Sequence, residues 1–553
     1  MSRQLNVVMA QINLLVGDIA GNTDRIIRIA HEAVARFNAD IVIFPELSLT
    51  SYPPEDLLMR PALQGRIDAA LQTLCQECIP AALVIGHPQQ DKSVLYNALS
   101  IIRNGDIVGR YYKQCLPNYQ VFDEQRYFAA GDKPCVLAIK DVAVAFTICE
   151  DLWQTTPTRQ ASQSGAELLI NINASPFSKH KLEQRVELLA RRARESGTPI
   201  VYVNLVGGQD ELVFDGYSMV ADAQGSVHVV GDGFSEDLAL VQFDLTQGEP
   251  ACPIFTENVA ERHLPALEQR CYQAMVLGLQ DYVTKNRFDS VILGLSGGID
   301  SALTLAVAVD ALGADKVSAV MMPFTYTSDL SVRLAKTQAD QLGVNFSIIP
   351  IVKSYEAFME ALGPEFEGLP VDLTEQNIQA RCRGVLLMAI SNKKGALVLT
   401  TGNKSEIAVG YCTLYGDMAG GFGVLKDAGK MLVYALSAYR NQLAEQAGEL
   451  PVIPRDVIDR PPSAELAPGQ RDDDNLPPYE RLDQILELYV EQDRSADEIV
   501  AQGFDHDEVY RVIRLVDLNE YKRRQSAPGV RLTERGFGRD RRYPITHGWK
   551  AGN

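Results

Sequence analysis

The sequence predicts an α/β protein with two domains, and three observations support this prediction. Short strands rich in Val and Ile alternate with amphipathic helices over residues 1–248, and the pattern starts again over residues 264–553. Residues 249–263 hold two prolines and little periodicity, which is typical of a linker. A length of 553 residues with 46% hydrophobic content is sufficient for two hydrophobic cores.

The first domain is expected to contain six strands, each a short apolar run ended by Gly, Pro, Asn or a charge. Two helices, Asp24–Phe37 and Lys181–Glu195, carry their charges on one face. Hairpin turns are predicted at Asn104-Gly105 and near Gly225. The predicted strands are Val7–Ile12, Ile41–Phe44, Ala82–Gly86, Val142–Thr147, Leu168–Asn173 and Ile200–Asn204.

The second domain is expected to begin with an amphipathic helix over Leu264–Lys285 and to repeat the strand–helix alternation. A segment rich in Pro and Asp, Pro451–Pro478, predicts a mobile surface loop that either closes over a site or is disordered. The other predicted elements are strands at 290–295, Val317–Met321, Phe346–Ile349 and Ala396–Thr400, and helices at 301–312, Ser331–Leu342, Leu482–Glu491 and Glu508–Asn519.

Charge and composition exclude several classes of protein. A formal net charge of -19 argues against general binding to nucleic acid or to anionic membranes. The N-terminus lacks a signal peptide pattern, and no apolar run approaches the ~18–20 residues that span a bilayer. The cysteine count is nine, and the Cys75/Cys78 pair has no second pair or histidine nearby to complete a zinc site. We therefore expect a cytoplasmic protein with reduced thiols.

Three chemically active residues follow predicted strands or lie in a loop of the first domain. Glu46 and Cys149 each end an apolar strand, and Lys113 lies in a loop with aromatic neighbours. Residues at the carboxyl ends of strands line the clefts of α/β folds. A thiol that attacks an amide needs a base to take its proton and a cation to stabilise the oxyanion. Taken singly, these residues also fit a core cysteine, a helix cap and a solvated lysine.

The sequence around the three residues resembles the nitrilase superfamily. The stretches "FPELSLTSYPPEDLL" (44–58), "KQCLPNYQVFDEQRYFAAG" (113–131) and "TICEDLW" (147–153) match its three motif regions in order. The resemblance implies an α-β-β-α sandwich that hydrolyses a carbon–nitrogen bond through a thioester. It implies that Glu46 is the general base, Lys113 the oxyanion stabiliser and Cys149 the nucleophile.

The resemblance extends to the glutaminases of this superfamily through "INASPFSKHKLEQR" (172–185). It implies that glutamine is held by Tyr119, Ser175 and Lys181, with Glu124 as a second glutamate near the catalytic residues. A lysine suits the carboxylate of glutamine. The alternatives are a solvated helix charge for Lys181 and a structural salt bridge for Glu124.

The stretch "LGLSGGIDS" (293–301) predicts a phosphate-binding turn between a strand and a helix. It lacks the lysine of a Walker A loop and the spacing of a dinucleotide fingerprint. Its "SGGIDS" resembles the pyrophosphate loop of the N-type ATP pyrophosphatases, whose fold is a Rossmann-like parallel sheet. Asp300 would repel phosphate unless Mg²⁺ lay between them. A plain tight turn before a helix is the structural alternative.

Downstream motifs are similar to those of the NAD synthetases. They comprise "EQNIQARCRG" (375–384), "TTGNKSEIAVGYCTLYGDMAGGFGVLKD" (400–427) and "NEYKRRQSAPGVRLT" (519–533). The whole chain thus resembles the glutamine-dependent members of that family. The resemblance implies that ATP adenylates deamido-NAD and that ammonia displaces AMP. The basic tail could otherwise be a nucleic-acid arm, which the net charge disfavours.

The resemblance also implies roles for individual residues of the second domain. Mg²⁺ would bind Asp300 and Glu406, Lys404 would support phosphate, and deamido-NAD would bind Asn377, Glu406 and Lys522. The synthetase domains of the family form homodimers or larger homo-oligomers. The residues implied for ATP are Gly294, Leu295, Ser296, Gly297, Gly298, Ile299, Asp300, Ser301 and Thr401.

Two other functions remain open from the sequence. The same architecture could adenylate a different acceptor with ammonia from glutamine. A catalytically silent nucleotide-binding scaffold is the alternative from another class. The presence of Glu46, Lys113, Cys149, Asp300 and Glu406 argues against a scaffold, because a scaffold needs none of this chemistry.

Overall fold

The computed structural model describes residues 3–245, 251–254, 264–467, 469–470, 472 and 476–550. The chain divides into two compact units, Met1–Leu264 and Pro265–Asn553. No helix within these described ranges is long and apolar enough to cross a membrane.

The first unit contains two β-sheets that form the middle layers of a sandwich. The larger sheet has the strand order β15-β14-β1-β2-β3-β4-β5, and the smaller one has the order β13-β12-β9-β8-β7-β6. The strands are β1 (Arg3–Gln11), β2 (Ile41–Ile43), β3 (Ala82–Asp91), β4 (Val94–Arg103), β5 (Asp106–Tyr112), β6 (Cys135–Ile139), β7 (Val142–Ile148), β8 (Leu168–Asn173), β9 (Ile200–Asn204), β10 (Val206–Gln209), β11 (Leu212–Asp215), β12 (Met219–Ala221), β13 (Val227–Val229), β14 (Asp237–Leu245) and β15 (Cys252–Ile254). Strands β10 and β11 form a separate hairpin.

Three clusters of buried side chains make this unit a four-layer α-β-β-α sandwich. Val7 and Ile43 from the larger sheet pack against Phe146 and Ile170 from the smaller one, which forms the central core. The outer face of each sheet is covered by helices, and Leu188 belongs to the cluster on the smaller sheet. The helices are Ile19–Phe37, Ala62–Gln76, Thr155–Gln163 and Lys181–Ser196. The sandwich expected from the nitrilase resemblance is therefore confirmed.

The second unit is built on a five-stranded sheet whose strands are all parallel. Its strand order is β18-β17-β16-β19-β20. After β16 the chain adds β17 and β18 on one side of that strand, and then adds β19 and β20 on the other side. Ligands of open parallel sheets bind at such a switch point, beyond the carboxyl ends of the strands. The strands are β16 (Ser290–Gly294), β17 (Val317–Met321), β18 (Asn345–Ile348), β19 (Ala396–Thr400) and β20 (Phe422–Gly423).

Helices cover both faces of this sheet and form an additional helical cluster towards the C-terminus. That cluster packs Leu482 and Val512 against Ala408, next to the loop after β19. The helices are Leu267–Lys285, Ile299–Leu312, Asp329–Leu342, Val352–Phe366, Leu373–Lys394, Lys404–Val409, Lys430–Gln446, Arg455–Asp459, Tyr479–Leu486, Ala496–Val500, His506–Leu518 and Glu520–Arg523, with a π-helical turn at Glu487–Glu491. The Rossmann-like parallel sheet expected for the second half is confirmed.

Two segments differ from the expectations. Within the expected linker 249–263, Cys252–Ile254 forms strand β15 on β14, so the first unit extends past residue 248; residues 249–250 and 255–263 lie outside the described residues. The expected loop Pro451–Pro478 contains the helix Arg455–Asp459, and Asp472 is buried. Its neighbours Asp473 and Asp474 lie outside the described residues.

Candidate functional sites

The first candidate site lies at strand ends in the first unit. Glu46 comes three residues after β2, Lys113 directly follows β5, and Cys149 directly follows β7. All three side chains are buried. The structure thus brings together the three residues that sequence reasoning selected.

Lys113 lies between two carboxylates. Its Nζ is 2.7 Å from Glu46 Oε1 and 2.8 Å from Glu124 Oε1, and the side chains of the three residues are 0%, 1% and 5% exposed, respectively. Burial lowers the pKa of Lys113, but Glu124 and Glu46 outweigh it and hold that pKa well above its usual range. Burial raises the pKa of Glu124 to about 7 against the opposing effect of Lys113. The lysine is therefore a fixed cation, and Glu124 titrates near neutrality.

Cys149 occupies a sharp turn between β7 and a 3-10 turn, Cys149–Leu152. Its φ angle of 44° lies in the left-handed region, which is uncommon for residues other than glycine. Burial, followed by the charge of Glu46, raises the pKa of the thiol well above its usual value. The thiol is therefore protonated at rest, and its activation requires a nearby base.

Two further groups hold the carboxylate of Glu46. Asn97 Nδ2 donates to Glu46 Oε1 at 2.8 Å, and the backbone N–H of Ala174 donates to Glu46 Oε2 at 3.1 Å. Sequence reasoning did not select Asn97, because its strand β4 was not predicted. The predicted hairpin turn at Asn104-Gly105 was the available signal, because such a turn implies a strand on each side.

The residues expected to hold the substrate surround this site at different depths. The hydroxyl of Tyr119 donates to Glu150 Oε2 at 3.0 Å, and Ser175 is buried beside Glu46's partner Ala174. Lys181 Nζ lies 3.9 Å from the ring centroid of Trp153, a cation–π contact. Sequence reasoning did not assign a role to Glu150, although it directly follows Cys149.

Glu124 forms a second layer around Lys113. It accepts a hydrogen bond from the hydroxyl of Tyr52 at 3.0 Å in addition to the bond from Lys113. Both bonds reach Oε1 and orient the lysine, whereas Glu124 Oε2 is buried without a hydrogen-bond partner in the described part of the chain. The geometry is that of the salt bridge which the sequence left as one alternative.

The second candidate site is a cavity of about 290 Å³ in the second unit. It is lined by the loop after β16, by Thr401 after β19, and by Arg383, Glu406 and Lys430. The cavity therefore lies at the switch point of the parallel sheet, where nucleotides bind in folds of this class. The lining residues from the loop are Gly294, Leu295, Ser296, Gly298, Ile299, Asp300 and Ser301.

The loop after β16 keeps its shape through internal hydrogen bonds. Gly298 N–H donates to Ser296 Oγ at 3.2 Å, and Ser301 Oγ donates to the carbonyl of Gly298 at 3.0 Å. Gly297 does not line the cavity; its φ is +81°, and a Cβ there would lie 2.4 Å from the carbonyl oxygen of Ser331, so only glycine fits. At Gly298, within the described chain, no side chain caps the helix Ile299–Leu312, which leaves its N-terminus open to an anion.

Asp300 and Glu406 meet at Lys430 on the floor of the cavity. Lys430 Nζ is 2.6 Å from Asp300 Oδ2 and 3.1 Å from Glu406 Oε1. Asn403 Nδ2 donates to Asp300 Oδ1 at 2.8 Å, so the two carboxylates are tied together. Burial raises the pKa of Glu406 to about 8, with Asp300 adding to the effect and Lys430 opposing it. Sequence reasoning missed Lys430, which lies just beyond the motif that ends at Asp427.

Two carboxylates that converge on one cation fit a divalent ion as well as an ammonium. Mg²⁺ usually takes one or two protein carboxylates and completes its shell with phosphate and water. Among the described residues, no group of three or more His, Cys, Asp or Glu side chains could hold a metal by itself. Any metal here would need ligands from the substrate.

Besides Gly297, three of the residues expected at this site lie outside the cavity lining. Asn377 Oδ1 accepts a hydrogen bond from Thr413 at 3.0 Å, and Lys522 Nζ donates to the carbonyls of Gly410 at 2.8 Å and of Cys412 at 3.0 Å.

Lys404 is the third, and it differs from the expectation most clearly. Its ammonium lies 2.9 Å from Asp427 and 2.7 Å from Glu491, fully buried in a structural network. Residues two apart on a helix face different directions, so Lys404 and Glu406 cannot point into the same cavity. Lys430 lines the cavity, whereas Lys404 does not.

Comparisons with known proteins agree with the division into two domains. The profile of the carbon-nitrogen hydrolase family matches residues 4–251, and that of the NAD synthase family matches residues 271–526. The chain is 50% identical over 551 residues to the glutamine-dependent NAD(+) synthetase of Xanthomonas campestris pv. campestris, covering 99% of this chain and 98% of the relative. It is 48% identical to the enzyme of the same name from Acinetobacter baylyi, covering 99% of each chain.

Two solved structures are similar to this chain over its length. The glutamine-dependent NAD+ synthetase of Acinetobacter baumannii, solved in complex with adenosine diphosphate, superposes with a TM-score of 0.79 at 44% identity and covers 100% of both chains. The corresponding protein from Cytophaga hutchinsonii has a TM-score of 0.83 at 23% identity, covers 99% of this chain and 98% of its own, and supports the fold alone.

Proposed function

The chain belongs to the family of glutamine-dependent NAD synthetases, which are ligases, and from this premise we propose how its two sites divide the reaction. The first unit hydrolyses glutamine to glutamate and ammonia. The second unit uses ATP to adenylate deamido-NAD, and ammonia displaces AMP to give NAD. The observation that carries this proposal is the presence of a Glu46–Lys113–Cys149 site and an ATP-type glycine loop in one chain.

In the first unit, Glu46 accepts the proton of the Cys149 thiol as the sulfur attacks the amide carbon of glutamine. Lys113 stabilises the negative charge that develops on the amide oxygen, because its ammonium is fixed by Glu46 and Glu124. Glu46 then gives the proton to the leaving nitrogen, which departs as ammonia and leaves a thioester on Cys149. Water, deprotonated by Glu46, hydrolyses the thioester and releases glutamate.

Recognition of glutamine requires groups for its ammonium and its carboxylate. Glu150, held by Tyr119, is a carboxylate directly beside the nucleophile and suits the ammonium. Lys181 supplies a cation for the carboxylate, and Ser175 supplies hydrogen-bonding groups next to Glu46. This arrangement distinguishes glutamine from simple amides, which lack both charges.

In the second unit, the loop Gly294–Ser301 and the open helix N-terminus hold the phosphates of ATP. Asp300 and Glu406 would hold Mg²⁺, which supplies neutralisation of the phosphates when it is bound. Lys430, which lies between the same two carboxylates, would supply a further positive charge for a phosphate oxygen. The pyrophosphate leaves after the nicotinate carboxylate of deamido-NAD attacks the α-phosphorus.

For deamido-NAD we propose contacts from Asn377, Glu406 and Lys522, and for ATP a contact from Thr401. Asn377 and Lys522 are tied together through the segment Gly410–Thr413, which borders the cavity. Lys404 is not part of this proposal, since Asp427 and Glu491 enclose its ammonium.

Ammonia released by the first site serves as the nucleophile for the second. Free ammonia is mostly protonated at neutral pH, so transfer within one protein preserves its reactivity. The test is Cys149→Ala assayed with deamido-NAD, ATP and Mg²⁺ by mass spectrometry of the products. NAD formation from glutamine should vanish, while ammonium chloride should support it within about twofold of the wild-type rate.

Loss of both activities in Cys149→Ala would contradict the division into two sites. Failure of the wild-type protein to convert deamido-NAD, with turnover of another acid, would favour the amidotransferase with a different acceptor. Absence of pyrophosphate release under all conditions would favour the scaffold.

We also propose a homodimer or larger homo-oligomer formed through the synthetase unit, and a cytoplasmic location. Val385 and Met388 are exposed apolar residues one turn apart on the helix Leu373–Lys394, which supports an interface there. All nine cysteines are free thiols, which fits a reducing compartment. Light scattering of Val385→Glu against wild type tests the assembly.

A further inference from the structure

The strongest feature outside the reacting groups is a buried ion pair in the first unit. Arg185 Nη2 lies 2.5 Å from Asp215 Oδ2, and both side chains have no exposed surface. Burying two charges is costly and stabilises a fold little compared with apolar packing. Such a pair therefore needs another reason, and its neighbours supply one.

The arginine of the ion pair lies close to the start of a helix. Arg185 lies on the helix Lys181–Ser196, one turn after its first residue Lys181. Residues four apart share one face of a helix, so anchoring Arg185 fixes the turn that carries Lys181. From this turn, Lys181 places its ammonium 3.9 Å from the ring centroid of Trp153.

The other end of the pair controls Ser175. Asp215 Oδ1 accepts from Asn204 Nδ2 at 3.3 Å. Asn204 in turn clamps both backbone groups of Ser175: its Oδ1 accepts from Ser175 N–H at 2.9 Å, and its Nδ2 donates to the Ser175 carbonyl at 3.3 Å. The phenol of Tyr202 interacts with both Arg185 and the Ser175 side chain, and so forms a second connection between the ion pair and Ser175.

The clamped segment also contacts the general base. Ala174 N–H donates to Glu46 Oε2 at 3.1 Å, and Glu46 N–H donates to the carbonyl of Asn173 at 3.4 Å. The ion pair thus links the helix start, the segment Asn173–Ser175 and the base in one buried network.

We propose that Arg185 and Asp215 are positioning residues that set the separation of Lys181 and Ser175, and thereby the affinity for the charged end of glutamine. This inference rests on the proposed glutaminase function. The pair acts at a distance from the scissile amide, so it contributes to binding of the substrate's remote groups. Lys113 and Asn97 donate to the other oxygen of the base, Glu46 Oε1, and these bonds do not involve the ion pair.

The test is Arg185→Lys, which keeps the buried cation but shortens its reach and removes the planar fork. We expect the KM for glutamine to rise about tenfold while kcat changes less than about threefold. A rise of this size corresponds to the loss of one hydrogen bond to a charged group in the bound state. Alkylation of Cys149 by iodoacetamide, followed by peptide mass spectrometry, should keep its wild-type rate. NAD formation from ammonium chloride should be unchanged.

Two further variants separate positioning from stability. Leu188→Ala on the same helix removes core packing without touching the pair, and should lower the melting temperature but leave the KM for glutamine unchanged. Tyr202→Phe removes one hydroxyl of the network, and should raise that KM about threefold even where Arg185→Lys does not fold.

The outcomes distinguish the two proposals. If the wild-type protein hydrolyses glutamine but Arg185→Lys and Tyr202→Phe keep its KM, the positioning role is wrong. An equal rise of KM in Leu188→Ala would also overturn it, because the effect would then follow stability. If the wild-type protein does not hydrolyse glutamine, the glutaminase function itself fails.

Discussion

The two sites share one electrostatic arrangement, a buried lysine between two carboxylates. Lys113 lies between Glu46 and Glu124, and Lys430 lies between Asp300 and Glu406. The carboxylates of the first site are 1% and 5% exposed, whereas those of the second are 18% and 17% exposed. The first arrangement is closed and complete, and the second faces a cavity.

The difference in exposure separates a lysine whose partners are closed to solvent from one whose partners are open to ligands. In the first site the lysine is enclosed by the protein's own charges. In the second, the carboxylates that hold Lys430 are open to the cavity, where a ligand can reach them. Under the proposed function, the three charges of the first site would serve the oxyanion of an amide, and those of the second would serve a nucleotide.

The largest effect is expected for Lys113→Met. Two buried carboxylates lose their counterion, so the free energy of unfolding of the first unit should fall by about 3–5 kcal/mol. Glutamine hydrolysis should fall by at least about 10³-fold, because the oxyanion loses its stabilising cation. Denaturant unfolding and glutamate release measure the two effects.

The matched control is Lys140→Met, which removes a lysine that pairs with Asp40 at the surface and should cost less than about 1 kcal/mol. If Lys113→Met retained more than a tenth of the glutamine hydrolysis of the wild type, the first site would not need its cation. The proposed difference between the two sites would then be wrong.

Lys430→Met should lower the rate of NAD formation by about 10²–10³-fold with either glutamine or ammonium chloride as the nitrogen source. Glutamine hydrolysis should continue. Its loss of stability should be smaller than that of Lys113→Met, because water reaches Asp300 and Glu406. Paired assays with the two nitrogen sources check this. If Lys113→Met lost the ammonium-dependent activity and Lys430→Met kept it, the roles assigned to the two lysines would be wrong.

Lys404→Met sharpens the comparison, because this lysine is buried between carboxylates but away from the cavity. We expect a loss of about 3–5 kcal/mol in unfolding free energy. Below the melting temperature, the KM for ATP should stay within about threefold of wild type. A rise of that KM by tenfold or more in folded protein would restore a role with phosphate.

The smallest effect concerns the pH dependence of the first unit. The pKa of Glu124 is raised to about 7 from its usual value near 4.5, so the native state binds an extra proton between these values. Its contribution to stability is therefore present below pH 4.5 and is lost as the pH rises through 7. Relative to Glu124→Gln, wild-type stability should fall over this range by no more than about 1.4 kcal/mol per pH unit.

Chemical denaturation of both proteins at several pH values measures this difference. A flat difference between Glu124→Gln and wild type would show that Glu124 does not titrate over this range in the folded protein, and would contradict the raised pKa.

Much of the fold follows from local patterns. Strands Leu168–Asn173, Ile200–Asn204, Val317–Met321 and Ala396–Thr400 have the predicted bounds, because buried strands read as short apolar runs. Strands β4 and β5 were not predicted although the Asn104-Gly105 turn between them was, since their polar residues interrupt the alternation. Helix bounds shifted where capping decides them, as at Asp18 before Ile19–Phe37.

The sequence by itself determined which residue types stand at the strand ends: Glu46, Cys149, and the glycine loop before Asp300. These depend on short-range order, which periodicity and turn residues record. Tertiary structure alone decided which lysine meets which carboxylate. Lys404 and Glu406 are neighbours in sequence yet face apart on their helix, while Lys430 arrives at Glu406 from another helix. Pairing across the fold depends on packing, which no local pattern encodes.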